Sequence, residues 1–471
     1  AVSKPRPPVY SGGMKPCISI VLLAVVMLLP RMASAHVSEQ GLTLLLPTGA
    51  YIIAGVSAVG LTVMALFTVT GDGVRRLFAH RRLVARDFAK LQRVTSSAST
   101  LLLALILYVG FTGTRDPLSN LMPLSFWTVG WVALVSLTAL FGNLWHWLNP
   151  WTGLYSLLPA LQPRLSLPKF LGVWPACLLL IGFGGFLLAD IAPDDPARLA
   201  RFVAFYWGLT FAGLVLCGPS WMAQVEMGHV LFTSLSRLGA VRLRVPAGIG
   251  GPGWQVIARP APRAAGVFAL ILLAVGSFDG INETFWWLAQ IGINPLEFPG
   301  RSAVVLPTLL GLGGTIVTLA ALFGAVVWLG LKIARVDTPF TTTFGRLALC
   351  VLPIALVYHM AHYLTSFIVL IQYTVAAISD PFATGADLLG IQPFRVTTGF
   401  FNSIDTVRLI WFTQAGLIVL GHVWSVFLSH RMALDLFGNS RRAAFATLPL
   451  SLFMIGYTFL GLWLLAAPKG L

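Results

Sequence analysis

Stretches of about twenty apolar residues with almost no formal charge recur along the chain between Ala50 and Ala466. A helix rising about 1.5 Å per residue needs roughly 20 residues to cross a hydrocarbon layer about 30 Å thick. Windows of that kind fall near 50–70, 97–114, 125–142, 170–189, 202–217, 264–287, 303–330, 345–378, 406–428 and 445–466. The pattern predicts ten spans and an all-α fold, a polytopic membrane helical bundle. Composition excludes a soluble globule: 57% of the 471 residues are hydrophobic and 10% charged, against roughly 45–50% and about 25% in soluble domains. Length alone would suggest about three domains, but no hydrophilic stretch is large enough to fold by itself, so residues 36–471 read as one transmembrane domain.

The segment MKPCISIVLLAVVMLLPRMASA, residues 14–35, has Lys15, an apolar core and an Ala33-Ser34-Ala35 box before His36, the layout of a cleavable secretory signal peptide. An uncleaved first membrane helix is the competing reading. Residues 1–13, AVSKPRPPVYSGG, read as an upstream extension rather than as part of the fold. Cleavage puts His36 outside and makes the first loop cytoplasmic. That loop carries Arg75, Arg76, Arg81, Arg82, Arg86, Lys90 and Arg93, as the excess of positive residues in cytoplasmic loops requires. Continued through ten spans, the alternation gives about 20 Lys and Arg inside and about 7 outside. It places the acidic loop Asp190–Asp195 outside and both mature termini in the periplasm of a bacterial inner membrane. The net charge of +15 therefore marks topology and does not imply nucleic acid. The segment WMAQVEMGHVLFTSLSRLG from Trp221 is expected to lie along the cytoplasmic interface, with Glu226 and His229 on its solvated face. Cys17, Cys177, Cys217 and Cys350 have no paired spacing and imply neither a disulfide framework nor a thiolate metal cluster.

Ionisable residues inside spans cost roughly 2.5–3.5 kcal/mol each at a helix centre and so face a partner, a cavity or a metal. Asp279 lies well inside the sixth window with Glu283 four residues on, on the same helix face. The pair reads as metal ligands or a proton relay; alternatively the span ends at Gly276, and Asp279, Asn282 and Glu283 cap a re-entrant turn. The eighth window is longer than one crossing needs and carries His359 and His362 at i and i+3, a spacing at which two imidazoles can share one ion. Simple hydrogen bonding of each ring is the alternative. His422, beside Gly421, could complete a buried site or make a structural hydrogen bond, while His430 reads as an interfacial anchor. His146 sits in an aromatic belt with Trp145, Trp147 and Trp151, and His80 in an exposed loop. The loop SDPFATGADLLGIQPF brings Asp380 and Asp387 to the end of the eighth span, where it could form a lid. A mature chain starting at His36 could chelate copper through its amino group and imidazole. The chain has no P-loop, GxSxG, CxxCH or HExxH sequence, which weighs against an ATP-driven pump and a serine hydrolase.

NPW at 149–151, FDG at 278–280, AHY at 361–363, SDPFATGADLLG at 379–390, GHV at 421–423, SHRMAL at 429–434 and LGLWLL at 460–465 follow the Ala-His after the leader. In their order and spacing they resemble bacterial multi-pass membrane proteins of the fenitrothion hydrolase family, across nearly the whole mature chain. His36, Asp279, His362, Asp380, Asp387, His422 and His430 occupy the motif positions, whereas His359 and Glu283 come from the helical spacing in this chain. The resemblance implies hydrolysis of the aryl–phosphate bond of an organophosphorus triester. The expectation is an outward-facing divalent-metal site, zinc or copper, made from Asp279, His359 and His362 with His422 or His36. Asp380 or Glu283 would act as general base, and an apolar substrate would enter from the membrane lipid. A copper or small-solute permease, or a subunit of a larger membrane complex, would use the same residues. Reporter fusions after Arg93 and after Arg442 should read as cytoplasmic, and fusions after Asp195 and Asp387 as periplasmic; the opposite result for the Arg93 fusion inverts the site's orientation.

Overall fold

The computed structural model describes residues 46–469 apart from 69–70, 85–87, 159–162, 243–245, 260 and 298–299. The leader, His36 and Cys17 lie outside the described residues. Ten apolar helices follow one another: α1 (Thr48–Leu66), α2 (Ala89–Thr112), α3 (Leu121–Phe141), α4 (Trp174–Ala189), α5 (Pro196–Cys217), α6 (Ala265–Asn282), α7 (Arg301–Ala334), α8 (Phe340–Ser379), α9 (Ile404–Phe437) and α10 (Ser440–Ala466). They match the ten windows in the sequence. Nine of them are long and apolar enough to cross a membrane; α4, with 16 residues, is the shorter one. The chain is an all-α multi-pass helical bundle.

A small sheet settles the status of α4. Strand β1 (His80–Arg82), from the loop after α1, pairs antiparallel with β3 (Gly248–Gly250), which also pairs with β2 (Val241–Arg242), both from the loop after α5. Two loops hydrogen-bonded to each other lie on one side of the membrane, so an even number of crossings separates them. Helices α2, α3 and α5 supply three, and α4 supplies the fourth.

Helix α6 is the axis of the bundle. It packs against α4, α7 and α8, and 78% of its apolar window is buried inside the protein, against 17–61% for the other spans. A helix apolar on all sides belongs in a core, which is why the carboxylate at its far end meets protein instead of lipid. On its flank, α7 and α10 touch at Gly330, where a Cβ would collide with the Ala446 carbonyl oxygen.

The segment after α5 differs from its expected place. Instead of lying solvated at the interface, Glu226 is 1% exposed. Its carboxylate accepts from Tyr206 Oη at 2.8 Å, Trp145 Nε1 at 3.2 Å and the Gly228 amide at 2.8 Å, capping the helix Met227–Leu235. Burial pushes this carboxyl above its usual range despite those donors. The helical pattern was legible, but the donors that draw Glu226 inward come from two other segments of the chain. Gly330→Ala should lower the thermal midpoint of the detergent-solubilised protein by forcing α7 from α10, on the order of 1–3 kcal/mol of overpacking. Gly313→Ala, on the same helix with open space around it, should leave the midpoint unchanged or raise it.

Candidate metal centre

Helix α6 continues through Asp279 to Asn282 and does not end at Gly276; Glu283 is its C-cap residue, and Thr284 starts the short helix Phe285–Gln290 by accepting from the Trp287 amide. Asp279 and Glu283 therefore stand one turn apart on one face, as their spacing predicted. Asn282 points elsewhere and accepts from Thr308 on α7 at 3.1 Å.

Two residues of α8 meet Asp279. His362 Nε2 lies 3.1 Å from Asp279 Oδ2, and Tyr363 Oη donates to the same oxygen at 2.5 Å. Tyr358 stacks on the His362 ring with centroids 5.7 Å apart, fixing its plane. Lys469, just past α10, places Nζ 3.0 Å from Glu283 Oε2. One ligand atom from each of Asp279, Glu283 and His362 lies within 4.8 Å of the others. Two carboxylates and an imidazole are a donor set that suits a divalent ion such as zinc, so these residues fit a metal.

The cluster opens into a cavity of about 440 Å³, walled by aromatic residues that include Trp127, Trp131 and Trp411, with Asp194 and Arg301 also in its lining. No family model, curated protein or solved structure matches the chain. The chemistry rests on the geometry. At the rim, burial pushes the Asp194 carboxyl above its ordinary value, against the pull of Arg301.

The other expected residues stand apart from this cluster. His359 turns about 60° from His362 around the helix toward α3, where its Nε2 sits 3.0 Å from the Trp131 carbonyl oxygen and its ring meets the Trp131 ring edge-on. The i, i+3 pair thus divides between a site and a helix contact. His422 is 2% exposed, with Nδ1 2.8 Å from the Ile418 carbonyl of its own helix, and does not line the cavity. His430 is also buried against the protein, at 1% exposure.

Asp380 and Asp387 staple their own loop. Asp380 accepts from the Thr384 and Gly385 amides, and Asp387 from the Ser379 hydroxyl and the Ile391 and Gln392 amides. For Asp380 the burial cost is outweighed by those amides, which hold its carboxyl below the usual range. A carboxylate so saturated with donors is a weak base, and neither residue lines the cavity. Lys469 escaped the sequence reading; its one signal is that it is among the few cations expected on the outer side. His359→Ala should keep any bound metal and lower thermal stability by about 1–3 kcal/mol through the partner left without a hydrogen bond. His362→Ala should release the metal, and metal content per folded molecule measures the difference.

Proposed function

We propose that this protein is a bacterial inner-membrane metalloprotein whose outward-facing cavity hydrolyses an apolar organophosphorus triester. The observation that carries the reading is the convergence of Asp279, Glu283 and His362 at the bottom of an aromatic cavity of about 440 Å³, within the size range of small-molecule sites. The substrate class is taken from the order of the short sequence motifs, which resembles that of the fenitrothion hydrolase family. The oxygen-rich donor set favours zinc over copper(I), which prefers thiolate and thioether ligands. Three protein ligands leave an open coordination position, the mark of a catalytic centre.

A zinc ion held by Asp279, Glu283 and His362 would supply Lewis-acid activation of the phosphorus centre and of water. The chain supplies the rest. Tyr363 holds Asp279 in one rotamer, Tyr358 holds the His362 ring, and Trp127, Trp131 and Trp411 form a slot that accepts an aryl group and keeps bulk water out. Glu283 takes a ligand role here. Asp380, bound up in its own loop, has none in the chemistry. The signal peptide at 14–35 delivers the mature N-terminus to the outer side, the side of the loop that holds Asp194.

The test is metal analysis of the purified, detergent-solubilised protein followed by turnover of a chromogenic aryl phosphorothioate. One equivalent of zinc and measurable turnover are expected. His362→Ala should lower both in parallel while folded yield is largely kept, because Asp279 can protonate once the metal charge is gone. Absence of any metal overturns the reading; metal without turnover moves the site to the permease reading.

A further inference from the structure

The segment after α10 is fastened across the cavity. The Ala467 amide closes the helix on the Trp463 carbonyl, the Phe285 amide donates to the Pro468 carbonyl at 3.0 Å, and Thr284 and Lys469 form an antiparallel bridge. Those contacts place Lys469 Nζ on Glu283 Oε2 at 3.0 Å, with Ala467, Pro468 and Lys469 themselves part of the cavity wall. The ammonium thus sits on one of the three groups that converge as metal ligands.

We propose that Lys469 is a tethered cation that holds Glu283 in place of the metal, and that it sets the affinity and charge selectivity of the site. The inference rests on the metal reading above. Asp279 and Glu283 lie with ligand oxygens within 4.8 Å of each other, in a cavity with low-dielectric walls, and a nearby cation favours keeping both ionised. Lys469 supplies one. A monovalent ion displacing it exchanges one positive charge for another and gains nothing electrostatically, whereas a divalent ion brings one charge more. The ammonium has three donors and no acceptor, so it cannot ligate an ion while protonated, and an ion that takes Glu283 Oε2 expels it. The strap then loses its side-chain anchor and, among the described residues, is held by the backbone bridge in which the Phe285 amide donates to the Pro468 carbonyl.

The experiment uses the full chain in detergent, stripped with a chelator, and titrates zinc by calorimetry against Lys469→Met, Lys469→Gln and Lys469→Arg. Met keeps the apolar stem and removes the charge, Gln is a polar substitute should Met misfold, and Arg keeps the cation. Met or Gln should bind zinc at least tenfold tighter than the native chain, and Arg should bind like it. A nitroxide on Ala467→Cys reports the strap, the three native cysteines of the described residues being buried; saturating zinc should increase its mobility. Neutral variants that bind zinc no tighter than the native chain, or a label that zinc leaves unchanged, overturn this inference and leave the metal site standing. No zinc binding by the native chain or any variant overturns both.

Discussion

A carboxylate inside a membrane bundle persists only with partners, and Asp279 is the residue on which the interior of this protein is organised. Its Oδ2 accepts both the His362 and Tyr363 contacts, so one oxygen ties α6 to two consecutive residues of α8. Losing the Tyr363 hydroxyl would leave that buried oxygen short of a bond, with a penalty of about 1–3 kcal/mol. The aromatic residues around the cluster do more than fill space. They lower the local dielectric, which strengthens each pairing and raises the cost of leaving any of them unmade.

That arrangement depends on the path of the backbone. In a bilayer the only solvent for backbone amides is the protein itself, which fixes the spans as helices and leaves parity as the main topological variable. The β1–β3 pairing sets parity on one side of the bundle. The Thr284–Lys469 bridge sets it on the other, since four crossings, α7 to α10, separate the two residues. The cavity is built on this second side, where the end of α6, the loop holding Asp194 and the strap after α10 come together. An even crossing count is thus a condition for the site as well as a description of the fold.

The sequence displays the periodic part of this design and hides the rest. The ten windows were visible because a span must be long and apolar whatever it packs against. Asp279 and Glu283 were visible as a pair because helical spacing alone puts i and i+4 on one face, and His362 stood out as an ionisable group in an apolar run. The same spacing rule grouped His359 with His362, but it gives an angle around one helix and not the identity of the neighbour, and here about 60° separates a cavity from the Trp131 carbonyl. Asp380 looked chemically free because its donors are backbone amides, which leave no trace in side-chain chemistry. Glu226 looked solvated for a related reason: the Tyr206 and Trp145 side chains that bury it lie 20 and 81 residues away. Lys469 is 186 residues from Glu283, and no local pattern relates them.

The position of the two acids on α6 argues against the reading in which they serve only to end the helix. The C-terminal end of a helix carries the negative pole of its dipole, roughly half an elementary charge, and favours Lys, Arg or protonated His. A pair of carboxylates placed there to end the helix would work against that field. Asp279 and Glu283 occupy the last turn and the C-cap, so helix capping cannot be why the chain keeps them. They stand at a pole already negative, where the Lys469 ammonium pairs with Glu283 and the His362 ring contacts Asp279. The end of α6 is therefore a place of standing demand for positive charge, and this is the physical basis for assigning it to a cation.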